Sequence, residues 1–271
     1  MPHSCAPNPA HSALHDALQG FRSISLADTQ AAALMDRVEY KYLSTLPLVC
    51  DLLPALWAHY HALDISGTRL QGYSSVYHDT LDFSMYRAHH NGQARRHKVR
   101  YRQYRATGQT FMEVKLRDPK GRTRKERTLM TPGTDLPAAQ AAFLAGHLPA
   151  LGTAQLEPKL RVDCDRLTLV NVPRQERLTF DLNLTLSSPD GAVTRTFPDL
   201  VVIELKCAGG VTQSAFLPFA QQQALRGQPF SKYGVGCALL YPTLKRNAFK
   251  PQLLHLARLA QPKWSAAPGN A

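Results

Sequence analysis

Six short segments of the chain place charged residues at every second position, and this period of two constrains the fold more than any other feature. The segments are RVEYKYL from Arg37, KVRYR from Lys98, FMEVKLR from Phe111, RKERTL from Arg124, RLTFDLNL from Arg177 and VVIELK from Val201. Successive side chains of a β-strand point to opposite faces of a sheet. Each segment therefore predicts a strand with one charged face.

Helical spacing of apolar residues surrounds these strands. It predicts helices over residues 46–63, 137–151, 214–227 and 244–260, and a proline interrupts the first and the last two. Many short strands joined by turn signals, with a few helices, are typical of the α+β class. The pattern alone leaves open whether the antiparallel sheet is flat or closed into a barrel.

The charged faces are mostly basic. Residues 95–128 hold thirteen of the 32 Lys and Arg residues against three carboxylates, and the whole chain has a formal net charge of +12. One interpretation is a solvated sheet face. However, like charges directly opposite on neighbouring strands destabilise a sheet by up to about 1 kcal/mol per pair. A polyanion such as nucleic acid, an anionic membrane surface, a nucleotide or polyphosphate would relieve that repulsion.

Four acids share these basic faces: Glu39, Glu113, Asp181 and Glu204. Carboxylates are hard oxygen ligands that suit Mg²⁺ or Mn²⁺ bridging phosphates. The alternative is that they hold neighbouring Arg and Lys side chains in place. The sequence leaves both interpretations open.

Composition excludes several other classes. The five cysteines contain no C-x-x-C pair, which argues against a zinc site or a disulfide framework. The sequence has no secretory signal pattern and no apolar run long enough to span a membrane, so we expect a soluble, cytoplasmic protein. We predict a weakly ordered segment over residues 1–30, one domain over 31–262 and a flexible tail over 263–271.

The ordered series of segments resembles the VTC domain, the polyphosphate polymerase branch of the triphosphate tunnel metalloenzymes, or CYTH superfamily. The resemblance covers roughly residues 36–241 and also includes SSVYHDTLDF from Ser74, PKLRVDCDR from Pro158 and FSKYGVG from Phe230. It implies an antiparallel eight-stranded β-barrel with surrounding helices, whose inward cations bind triphosphate or polyphosphate. The chain has R-x-E-x-K at Arg37, Glu39 and Lys41 where related triphosphatases have E-x-E-x-K, which favours the VTC branch.

The resemblance also implies roles for individual residues. The catalytic cations would be Lys41, Arg100, Arg102, Lys115, Lys125, Arg127 and Lys206. Further phosphate-binding residues would be Arg161, Arg166, Arg177 and Lys232, and the ligands of Mn²⁺ or Mg²⁺ would be Glu204, Glu113 and Asp181. Tyr77, His78 and Asp79 are predicted to support the structure.

The implied activity is a metal-dependent phosphotransferase, a polyphosphate polymerase that moves the γ-phosphate of ATP to a growing polyphosphate chain. Two alternatives remain: a tunnel-type triphosphatase or polyphosphatase, and a non-catalytic polyphosphate-binding domain. The basic strands carry neither an RNP-type aromatic set nor a helix-turn-helix signature, which argues against nucleic acid. With no membrane span of its own, the chain would need a separate partner to act at a membrane.

Overall fold

The computed structural model of the chain describes residues 9–29, 38–130, 136–149, 155–208, 210–259 and 263–266. Its strands are β1 (Arg22–Ile24), β2 (Val38–Thr45), β3 (His61–Leu63), β4 (Leu70–Asp79), β5 (Arg96–Tyr104), β6 (Thr110–Arg117), β7 (Thr123–Met130), β8 (Glu157–Asn171), β9 (Glu176–Ser187), β10 (Val193–Phe197), β11 (Leu200–Cys207) and β12 (Lys263–Ala266). Its α-helices are α1 (Pro9–Gln19), α2 (Leu46–Leu56), α3 (Ser84–His90), α4 (Leu136–His147), α5 (Leu217–Gln222), α6 (Lys232–Leu240) and α7 (Lys250–Leu259). Arg37 lies outside the described residues.

Eight strands follow one another in the order β2, β11, β9, β8, β4, β5, β6, β7, and each is antiparallel to its neighbours. This arrangement confirms the α+β class and the eight antiparallel strands. Among the described strands no ladder joins β2 to β7, so the predicted barrel is not closed by backbone pairing. The sheet nevertheless curls on itself, because Lys115 of β6 comes within 3.5 Å of Glu39 of β2.

The alternation of side chains divides the sheet into an outer and an inner face. On the outer face, apolar residues of β2, β8, β9 and β11 such as Tyr42, Phe180 and Ile203 pack with residues of α1, α2 and α5. Val99 of β5 and Val114 of β6 pack with residues beside α3 and α4. The charged residues of the same strands consequently face the interior.

One end of the interior is filled with apolar side chains. Leu43, Leu160, Leu184 and Val202 form a core with the buried residues of α6, and this core also includes residues of α7. The opposite stretch of the same strands carries the charges. The helix α6 therefore covers one end of a charged interior.

The helical predictions are confirmed as elements, with shorter boundaries. Helix α2 ends at Leu56, two residues after Pro54, and residues 61–63 of the predicted helix instead form strand β3. Proline removes a backbone donor and clashes with the preceding turn, which weakens the last turn of this helix. Helices α5 and α7 lie within their predicted ranges, and α4 begins one residue before the predicted range of 137–151 and ends inside it.

The described residues near both ends of the chain contain more structure than their composition predicted. Helix α1 lies in the segment expected to be weakly ordered, and its Leu14, Ala17 and Leu18 are buried against α2. Four residues of the predicted tail form β12, which pairs with β10. Local composition does not predict these elements, because α1 is stabilised by packing on α2 and β12 by pairing with β10, both distant in sequence.

Candidate functional site

The inward charged residues form cross-strand rows. Arg100 of β5 lies opposite Glu113 of β6, which lies opposite Arg127 of β7. The adjacent row consists of Lys98, Lys115 and Lys125, three lysines directly opposite one another. Two residues of a strand span about 7 Å, so neighbouring rows lie about 7 Å apart along the interior.

On the other half of the sheet, β2, β11 and β9 form equivalent rows. Lys41 lies opposite Glu204, and Glu39 lies opposite Lys206, which lies opposite Arg177. Arg166 of β8 pairs in register with Asp181 of β9. The period of two thus brings the charged residues of six predicted strands into one interior, which we call the cationic tunnel.

All four carboxylates in the cationic tunnel each contact two cations, and Glu39 does so at 3.7 Å from Lys41 Nζ and 3.5 Å from Lys115 Nζ. Glu113 accepts from Arg100 Nε at 2.6 Å and contacts Lys125 Nζ at 2.5 Å. Asp181 accepts from Arg166 through both oxygens, at 2.5 and 2.9 Å, and from Lys232. Glu204 contacts Lys206, and Lys41 Nζ at 3.6 Å. These carboxylates hold the cations in fixed positions.

The electrostatics of the carboxylates follow from these contacts. Burial alone raises the pKa of the Glu113 carboxyl, but the charges of Arg100 and Lys125 outweigh it and lower the pKa to about 2. In the same way, burial opposes ionisation of Asp181 and Glu204, and their cationic neighbours lower the pKa of each. All three are therefore ionised at neutral pH.

Other tunnel cations have neutral partners. Within the described residues, no carboxylate lies within 4 Å of Lys98 or Arg102. Lys98 Nζ donates to Ser231 Oγ at 2.9 Å, and Arg102 Nε donates to Ser75 Oγ at 3.2 Å. Burial, together with the charges of the neighbouring lysines, lowers the pKa of Lys98 to about 7. These cations retain capacity for an anionic ligand.

Aromatic rings support the guanidinium groups. The Tyr73 ring lies 5.1 Å from the Arg102 guanidinium carbon and 5.2 Å from that of Arg166. Arg100 Nη1 donates to the Tyr77 hydroxyl at 3.1 Å. Asp79 accepts from the backbone N–H groups of Met85 and Tyr86 at the start of α3, so it organises the local backbone.

The structure places all but one of the predicted cations on the inner face or beside it. Arg161 is exposed and alternates with the buried Leu160 and Val162, so it lies on the outer face of β8. Arg161 and Arg166 are five residues apart, and an odd spacing puts two residues on opposite faces of a regular strand. We therefore correct the assignment of Arg161 as a tunnel cation.

Several tunnel residues were missing from the predicted site: Lys98, Ser75, Tyr73 and Ser231. Lys98 belongs to the same alternating segment as Arg100, so the period of two already carried the signal for it. Ser231 is the N-cap of α6, where its hydroxyl accepts from Gly234 N at 3.1 Å. No local pattern relates that helix to β5.

The three predicted metal ligands do not come together. Among the described residues, no group of three or more His, Cys, Asp or Glu side chains is placed to hold a metal. Glu113 and Asp181 each hold two cations, as Glu204 also does. Glu204 and Glu39 both approach Lys41 Nζ, at 3.6 and 3.7 Å. Two neighbouring carboxylates fit Mg²⁺ or Mn²⁺ that takes its remaining ligands from water and phosphate.

A curled antiparallel sheet around a cationic interior is the architecture of the tunnel-fold class of proteins. The family model described as the VTC domain matches residues 36–241. The match spans more than half of the chain, and the chain belongs to the VTC domain family.

Solved structures with similarity to this chain include a "putative adenylate cyclase" from Bacillus halodurans. It is 16% identical, covers 72% of this chain and 94% of its own, and has a TM-score of 0.48. A "putative adenylyl cyclase" from Hippeastrum, described as having a dominant triphosphatase activity, is 14% identical to this chain. It covers 79% of this chain and 99% of its own, and the TM-score is 0.46. No curated protein matches the chain. None of the described helices is long and apolar enough to cross a membrane.

Proposed function

We propose that this protein is a polyphosphate polymerase that transfers the γ-phosphate of ATP to the end of a growing polyphosphate chain. The observation that carries the proposal is the row of Lys98, Lys115 and Lys125, in which three basic side chains lie opposite one another on paired strands. Such pairs repel, and a chain of closely spaced phosphates relieves the repulsion. Membership of the VTC domain family supports the same ligand.

The tunnel cations position the reacting phosphates. Arg100, Arg102, Lys115, Lys125 and Arg127 hold the phosphates of the nucleotide, and the arginine forks suit bidentate contact with phosphate oxygens. The aromatic rings and carboxylates described above fix several of these side chains before the ligand arrives. Little reorganisation is then required when charge spreads over the transferred group.

The transfer itself needs no nucleophile from the protein. A terminal oxygen of the acceptor polyphosphate forms a bond to the γ-phosphorus, while the bond from that phosphorus to the β–γ bridging oxygen breaks and ADP leaves. Lys206 and Arg177 balance the charge at the γ-phosphate, and Lys41 orients it. The remaining phosphate-binding cations, Arg166 and Lys232, bind the polyphosphate chain. Asp181 contacts both and keeps them in position.

A divalent cation, Mn²⁺ or Mg²⁺, held by Glu204 with Glu39 would neutralise phosphate charge as a Lewis acid. We expect Glu204→Gln to lower turnover by more than about 100-fold, because several kcal/mol of stabilisation are lost. Polyphosphate binding measured without metal should change little, since the tunnel cations remain. Unchanged turnover in this variant would remove Glu204 from the metal site.

The proposal is tested by incubating the purified protein with ATP and Mn²⁺ and measuring both polymer on a gel and free orthophosphate. We expect a ladder of long chains from the wild type and from Arg161→Ala, whose side chain lies on the outer face. The double variant Arg100→Ala, Arg102→Ala should give no ladder. Orthophosphate without polymer would show a triphosphatase, and tight polyphosphate binding without either product would show a binding domain.

A further inference from the structure

The positive charge of the tunnel continues to the protein surface at the end covered by α6. Arg96 and Arg117 lie directly opposite each other on β5 and β6, and they line the same cavity as Lys98 and Lys115. The Arg96 side chain is half-buried and that of Arg117 is exposed. Burial lowers the pKa of the Arg96 guanidinium, and the charge of Arg117 lowers it further. Two like charges therefore face each other where the tunnel meets the solvent.

Further cations extend this pair onto the surface. Arg95 directly precedes β5, and Lys120 and Arg122 lie in the turn between β6 and β7. All three are exposed. The turn lies against Arg117, because a Cβ added at Gly121 would be 3.6 Å from Arg117 Nη2. We call the following five residues the basic rim: Arg95, Arg96, Arg117, Lys120 and Arg122.

The basic rim has almost no opposing acid. Its two segments, residues 91–96 and 117–122, contain one carboxylate, Asp118, which accepts from Arg122 N at 2.9 Å within the turn. Among the described residues, no carboxylate forms an ion pair with a rim cation, whereas the exposed Arg105 is paired with an acid. Like charges gathered in this way repel one another, and a bound anion would relieve the repulsion.

The composition of the basic rim matches a ligand that offers negative charge and little else. Residues 91–96 and 117–122 contain no aromatic residue and no Val, Ile, Leu or Met. The rim therefore offers no ring for stacking on a nucleobase and no apolar side chain for insertion into a lipid layer. We propose that the basic rim binds the part of a long polyphosphate chain that extends beyond the tunnel. The inference rests on the proposed function, which supplies such a chain.

The length of the tunnel shows what the basic rim adds. Strand β5 has nine residues and spans about 30 Å, so tripolyphosphate fits inside the tunnel while a long chain continues outside it. A chain held in the tunnel and at the rim at the same time dissociates only when both contacts break. The rim therefore makes the protein select long chains over short ones, and it retains a product between successive additions of phosphate.

The test compares the affinities of long-chain polyphosphate and tripolyphosphate, measured by calorimetry. The double variant Arg95→Ala, Arg122→Ala should weaken the long chain about tenfold, because two charged contacts are lost, and tripolyphosphate less than about twofold. Its affinity for the long chain should also depend less steeply on NaCl, by about one unit in the slope of log affinity against log concentration. The matched control is Arg22→Ala, Arg161→Ala, which removes the same charge at exposed positions of β1 and β8 and should change neither affinity.

Product length in the gel assay provides a second measurement. The rim variant should make shorter chains from ATP than the wild type and the control variant, because its product dissociates earlier. Equal weakening of both ligands, no weakening of either, or the same effect in the control variant would overturn the inference. It would also be overturned if the rim variant lost binding to vesicles of phosphatidylcholine and phosphatidylserine and kept its affinity for long-chain polyphosphate.

Failure of the inference and failure of the proposed function give different results. A rim variant that makes polymer of wild-type length with wild-type affinity overturns the inference and leaves the polymerase in place. A wild type that binds long chains through the basic rim and makes no polymer overturns the polymerase and leaves the rim in place.

Discussion

At the scale of single residues, the tunnel depends on a few carboxylates placed among many cations. Glu113, Asp181 and Glu204 each hold two cations, and each is almost entirely buried or lies deep in the tunnel. Their charges reduce the repulsion between strands before any ligand binds. The acids therefore contribute to stability as well as to the site.

Glu113→Gln tests this contribution. We expect the free energy of unfolding to fall by about 3 kcal/mol, because Arg100 and Lys125 lose the charge that compensates their burial. Urea unfolding at pH 7 measures the change. Glu126→Gln is the matched control, since Glu126 lies on the other face of β7, and it should stay within about 0.5 kcal/mol of the wild type. Equal effects of the two variants would contradict the assigned role.

If polyphosphate binds as proposed, Lys98 should give its binding a dependence on pH. Its pKa of about 7 in the free protein reflects burial and the charges of Lys115, Lys41, Arg96 and Arg100. The amine is protonated below that pH, so binding should weaken as the pH rises above 7, by up to about tenfold per unit. We expect Lys98→Arg to flatten this dependence, because arginine stays charged.

The measurement is the affinity for long-chain polyphosphate between pH 6 and 9, since the inner phosphates of such chains do not titrate there. Lys120→Arg, at an exposed position in the turn between β6 and β7, is the control and should keep the wild-type profile. The assignment to Lys98 fails if Lys98→Arg also retains that profile.

Most of the site could be predicted residue by residue from the period of two. The alternation placed Glu39 with Lys41, Glu113 with Lys115 and Glu204 with Lys206 on one face, and the registers agree. Arg161 was carried over from the family although its odd distance from Arg166 argued against it. Lys232 could not be placed by periodicity, because it reaches Asp181 from a helix.

At the scale of elements, α6 determines one end of the tunnel. A Cβ added at Gly236 would lie 2.5 Å from Leu160 Cδ2, and Leu160 is fully buried. The helix therefore packs on β8 at a distance that only glycine permits. Ser231 and Lys232, at the start of the same helix, are held in place by this contact.

Gly236→Ala should consequently destabilise the protein by about 1 to 3 kcal/mol through overpacking. Gly146→Ala in α4 is the matched control, because nothing lies within 4 Å of a Cβ added there. Alanine favours helix, so this control should raise stability by about 0.5 kcal/mol. Thermal and urea unfolding of both variants test whether Gly236→Ala lowers the stability and Gly146→Ala raises it. A neutral Gly236→Ala would mean that α6 has room to move.

The elements differ in how far sequence could predict them. Strands with a charged face were predicted well, since alternation is a local property. Helix α1 and strand β12 were not, because they are ordered by packing on α2 and pairing with β10. The lack of a ladder between the described strands β2 and β7 is likewise a property of the assembled sheet. The sequence of neither strand indicates it.

At the scale of the whole molecule, we expect the cationic tunnel to make stability depend on anions. Polyphosphate that binds only the folded state should stabilise it by about 2.7 kcal/mol at 100 times its Kd. For a chain of this size, that corresponds to about 5 to 10 °C in Tm. The shift should shrink as NaCl is raised, because salt screens the attraction.

Differential scanning fluorimetry with and without polyphosphate measures this shift. The double variant Arg100→Ala, Arg102→Ala should show a smaller shift than the wild type, and Arg161→Ala an equal one. A shift that is the same in all three proteins would place the polyanion on the outer surface.

The lack of a ladder between the described strands β2 and β7 also affects how a long molecule can leave the cationic tunnel. Within the described residues, the Lys115 and Glu39 side chains and the backbone bond from Gln228 to Lys41 span the region beside the free edge of β2. A few such contacts separate at far lower cost than a hydrogen-bonded ladder. In the proposed polymerase, the wall would part sideways while every ladder of the described strands stays intact, and the product would be released along its length without being drawn through end first.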